Sequence, residues 1–82
     1  MSMLYPIPDE LLEEWWREDE EAREIRRRHA DWKFIEKQPP KIRYALKYYI
    51  EKGDERMACK LAGLSLEDFE ALRIKARIPR VS

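Results

Sequence analysis

Read for its alternation of apolar and polar positions, the chain predicts helices and no strand. Leu11, Trp15, Ala22, Ile25, His29 and Trp32 recur at spacings of three, four and seven, with Glu18 interrupting the stripe, which is the period of an amphipathic helix. Pro8 or Asp9 can open that helix, and nothing breaks it before Lys37. Acid-before-base pairs four apart, Glu13–Arg17, Asp19–Arg23 and Glu24–Arg28, support it. Pro39 and Pro40 close it. A second helix over 41–52 carries Ile42, Ala45, Leu46, Tyr49 and Ile50 on one face, and Gly53 stops it. Asp54 caps a short helix to Ala62 with Met57, Ala58 and Leu61 inward, and Gly63 ends it. Ser65 caps the last helix, 66–77, whose apolar stripe is Leu66, Phe69 and Leu72 with Leu64 before them. Pro79 terminates it.

The spacing therefore predicts four helices in an all-α protein. Residues 1–38 form an arm and a long amphipathic N-terminal helix, and residues 39–82 a small helical domain. At 1.5 Å per residue the first helix would span roughly 43 Å, more than the remaining residues can cover, so part of it should project. With 82 residues the core is thin.

Charge adds a polarity that apolar spacing does not show. The formal net charge is zero, from 17 bases and 17 acids. Residues 1–24 hold nine acids against Arg17 and Arg23. Residues 25–50 hold eight bases against Asp31 and Glu36. The last ten residues carry Arg73, Lys75, Arg77 and Arg80 without an acid. This excludes a uniformly basic nucleic-acid coat and leaves local surfaces to consider. Heavy use of Glu, Arg and Lys, with no Asn or Thr, resembles hyperthermophile composition. No apolar run is long enough to span a membrane and the start lacks a basic-then-apolar signal, so a cytoplasmic protein is expected.

Residues 54–77 combine a short helix, a tight glycine turn and a second amphipathic helix, the ingredients of a helix-turn-helix. Ala58 allows close approach, Gly63 permits the turn and Phe69 plugs the space between the helices. The positions Ala45, Leu46, Gly53, Ala58, Leu61, Ala62, Gly63, Ser65, Phe69, Ile78 and Pro79 resemble the small prokaryotic, often archaeal, antitoxin-like helix-turn-helix proteins that pair with PIN-domain toxins. The likeness covers residues 45–79. It implies a helix-turn-helix fold, a PIN-type toxin as protein partner and DNA as a second one.

The candidate sites follow from these segments. Base readers normally lie in the first half of a recognition helix, where this chain has Glu67, Asp68 and Glu70. Arg73, Lys75, Arg77 and Arg80 are instead placed to hold backbone phosphates, with Arg26, Arg27, Arg28, Lys33 and Lys37 as a second basic surface. The alternative is that these bases are solvated and paired with neighbouring acids. Leu11, Leu12, Trp15 and Trp16 are the candidate partner-binding residues. The adjacent tryptophans lie about 100° apart on a helix and cannot share one internal groove, and exposed indoles are favoured interface anchors. Either a homodimer or another protein's groove would cover them. Tyr44 and Tyr48 are read as lining a helix–helix seam and Tyr49 as core.

An enzyme is not expected. His29 is the single histidine, read as half-buried beside Trp32, and Cys59 the single cysteine, read as a structural thiol. No cofactor or metal site is expected. The reading is a non-catalytic, antitoxin-like or regulator-like binding protein that meets a protein through its N-terminal helix and phosphates through its basic C-terminal end. Its alternative is an accessory interaction subunit of a multisubunit archaeal replication or transcription enzyme.

Overall fold

The computed structural model describes the backbone of residues 9–80 and side chains from residue 19 onward. The described chain is all-helical: α1 (Asp9–His29), α2 (Trp32–Glu36), α3 (Pro40–Lys52), α4 (Glu55–Ala62) and α5 (Leu66–Lys75). α3 is the centre, with α1, α2 and α4 packed on it, and α5 packs on α4.

Most ends form where the local signals place them. Gly53 and Gly63 adopt φ of 69° and 70° at the ends of α3 and α4, the left-handed geometry that glycine reaches without a Cβ clash. Asp54 accepts from the Met57 N–H and Ser65 from the Asp68 N–H, both at 3.1 Å. Pro40 opens α3, where its missing N–H costs nothing.

The first helix differs from expectation. It ends at His29, not Lys37, because Asp31 caps a new helix, accepting from Phe34 N–H at 3.1 Å. The Asp31 N–H in turn donates to the carbonyl of Ala76 at 2.7 Å. In an unbroken helix Ile35 would sit about 140° around the axis from Ala30, yet both belong to one core. The break lets Ile35 turn inward, where it is fully buried. The chain thus has five helices, and α1 rises roughly 31 Å instead of 43 Å.

A single core joins Ala30 and Ile35 to Ala45, Leu46, Tyr49, Ile50, Ala58, Cys59, Ala62, Phe69, Ala76 and Ile78. It therefore draws on both sides of Gln38. The Tyr49 and Phe69 rings meet edge to face, centroids 5.8 Å apart. The α3 face and Phe69 are as the spacing predicts. Met57 is exposed and Cys59 takes the inward position. Leu66, in the first turn of α5, is half exposed because no element covers that turn. His29 lies on the surface at the end of α1, and Tyr44 is exposed while Tyr48 packs against the core.

Candidate functional site

The basic C-terminal end is built by how α5 stops. Ala76 closes the helix and Arg77 turns into the left-handed region at φ 58°. The Ile78 N–H then donates back to the Arg73 carbonyl at 3.1 Å, and the Ile78 side chain is buried. This is the doubly bonded helix end normally built around glycine.

That geometry divides the four candidate phosphate-binding residues. Arg73 is turned into the fold, 8% exposed, and its Nη1 donates to the Ile78 carbonyl at 2.8 Å. It also lies 3.7 Å from Glu70. Its expected surface role is corrected: it ties the tail to the end of α5, because Ile78 can enter the core only if its carbonyl finds a buried donor. Arg80 is on the surface but lies 3.5 Å from Glu55 and 3.8 Å from Glu70. Lys75 and Arg77 are exposed and make no ion pair among the described residues.

The second basic surface divides in the same way. Arg26 is 4% exposed and its Nε donates to the Ile50 carbonyl at 2.8 Å. Arg23 Nε donates to the Glu51 carbonyl at 3.1 Å. Two arginines of α1 therefore satisfy carbonyls that the last turn of α3 leaves without helical partners. Arg27 Nη2 pairs with Glu51 at 2.9 Å, and that hydrogen bond holds the Glu51 carboxyl below the usual carboxylate range. Burial lowers the Arg26 guanidinium from its ordinary value. A cleft of about 450 Å³ lies here, lined by Asp19, Ala22, Arg23, Arg26, Glu51, Lys52 and Gly53. Its carboxylates and guanidiniums serve one another and the α3 terminus. Arg28, Lys33 and Lys37 remain exposed.

Two features escaped the sequence reading. Trp32 is 38% exposed, and its indole N–H donates to the Arg27 carbonyl at 3.0 Å. The Asp31–Ala76 bond ties the turn between α1 and α2 to the end of α5. Asp31 was the available signal, since aspartate is a preferred residue for capping the start of a helix. Its long-range partner left no local trace.

The candidate partner-binding residues Leu11, Leu12, Trp15 and Trp16 fall outside the described side chains. Cys59 is buried, and burial pushes its thiol up. Among the described residues no group of three or more His, Cys, Asp or Glu is placed to hold a metal ion. No described helix is long and apolar enough to cross a membrane. Comparison with protein-family models, curated proteins and solved structures finds no match to this chain.

Proposed function

We propose that the chain is a non-catalytic binding protein whose residues 55–75 act as a helix-turn-helix. In this reading the N-terminal helix docks a protein partner and the basic C-terminal end meets nucleic-acid phosphates, as in an antitoxin or small regulator. The observation that carries it is the pairing of α4 with α5. Three residues separate the helices, Gly63 is left-handed, and Ala58 and Phe69 are fully buried. Two packed helices joined by a short turn that contains glycine are what such a unit needs. The exposed Glu67 and Asp68 at the start of α5 argue against base reading in the major groove and for contact with phosphates from its far end.

A second reading is favoured by those same acids and by the pairing of Arg80 with Glu55 and Glu70. Here the unit docks protein as an accessory subunit of a multisubunit nucleic-acid enzyme, in an archaeal cytoplasm. Affinity capture from native extract with the intact chain, compared with Trp15→Ala/Trp16→Ala, separates the two. Recovery of a PIN-type nuclease, lost in the variant, supports the first; recovery of polymerase-type subunits supports the second. A chain that captures neither, and runs as a monomer, overturns partner docking.

A further inference from the structure

Two stretches distant in sequence meet at one corner of the fold: the turn from α1 into α2 and the end of α5. The 2.7 Å bond from Asp31 N–H to the Ala76 carbonyl joins them. Arg28 and Lys33 lie within three residues of Asp31, and Lys75 and Arg77 flank Ala76, so the bond sets the four in one neighbourhood. All four are exposed and stand in no ion pair among the described residues. Of the acids nearest them in sequence, Glu24 pairs with Arg27, Glu36 with Lys47 at 2.9 Å and Glu70 with Arg73 and Arg80, while Asp31 stands at the corner itself and caps α2. The corner is thus a local excess of positive charge in a chain of zero net charge.

One feature separates it from an ordinary solvated face. Trp32, next to Asp31, donates its indole N–H to the Arg27 carbonyl, which holds the ring while 38% of the residue stays open to solvent.

We propose that this corner binds single-stranded nucleic acid, with Arg28, Lys33, Lys75 and Arg77 on the phosphates and Trp32 stacked on an unpaired base. The inference rests on the reading that this end meets phosphates, and it names the form of nucleic acid. An aromatic face beside free cations is the pairing that single strands require. A duplex keeps its bases stacked and offers Trp32 nothing, and the acids at the start of α5 oppose its entry into a groove.

Fluorescence anisotropy with the full chain, a labelled oligothymidylate and a labelled duplex of the same length tests it. The wild type should prefer the single strand. Trp32→Leu should weaken that binding by about tenfold, leave the duplex unchanged, and be matched by near-wild-type binding in Trp32→Phe. Lys33→Ala/Lys75→Ala/Arg77→Ala should reduce the salt slope on the single strand by about 2. A Trp15→Phe/Trp16→Phe chain, with Trp32 as its sole tryptophan, should show emission quenched on binding. Single-strand binding that ignores Trp32→Leu, or unquenched emission, overturns the inference while leaving phosphate contact intact. Binding of neither probe at low salt overturns both.

Discussion

Arg26 on α1 donates from Nε to the carbonyl of Ile50 on α3 at 2.8 Å, across 24 positions of sequence. The bond closes the end of the central helix from outside it, and its guanidinium lies against Gly53. A Cβ at that glycine would come within 3.1 Å of Nη1. Replacing Arg26 with Met keeps the apolar stem and strands the carbonyl, so a loss of about 2 kcal/mol is expected from urea denaturation. Gly53→Ala meets both the guanidinium and a φ of +69°, with an expected cost of about 1–2 kcal/mol. The double variant should cost less than the sum, because Met removes the clash; strict additivity would show that the two positions do not interact.

Arg77 offers the opposite case. Its left-handed φ of 58° is strained for any residue with a Cβ. Arg77→Gly should raise stability by about 0.5–1 kcal/mol, the relief of strain exceeding the added chain entropy. The same change should lower affinity for nucleic acid. A variant more stable and equally good at binding would remove Arg77 from the surface.

Glu51 links the fold to pH. Its carboxyl is held below the usual range by the Arg27 hydrogen bond. A depressed folded value means stability that is complete above the ordinary glutamate value of about 4.3. It is lost as pH falls through the folded value, because protonation then breaks the pair. Urea midpoints of wild type and Glu51→Gln should differ near neutrality and converge in acid. Parallel curves would show that the pair contributes nothing.

Cys59 reports on the core. It is 7% exposed, and burial, reinforced by the Glu55 charge, keeps the thiol protonated. Reaction with a disulfide reagent should be at least about a hundredfold slower in buffer than in urea, since it requires opening of the fold. Equal rates would place α4 outside the stable core.

Residue-level signals determined the all-α class, the glycine stops at Gly53 and Gly63, the caps at Asp54 and Ser65, and the inward face of α3. These are set within one turn of the residues that cause them, so local chemistry suffices. Tertiary contacts decided the rest. The first helix stops at His29 because Asp31 finds both Phe34 and the distant Ala76 carbonyl, and because Ile35 gains a place in the core. Arg73 and Arg26 look like surface charges in the sequence, yet each is buried against a carbonyl that only the folded chain brings near it. Which bases remain free was likewise settled by partners such as Glu51 and Glu70 reaching across elements. A charge can be counted from its codon, but its availability depends on what the fold sets within hydrogen-bonding distance.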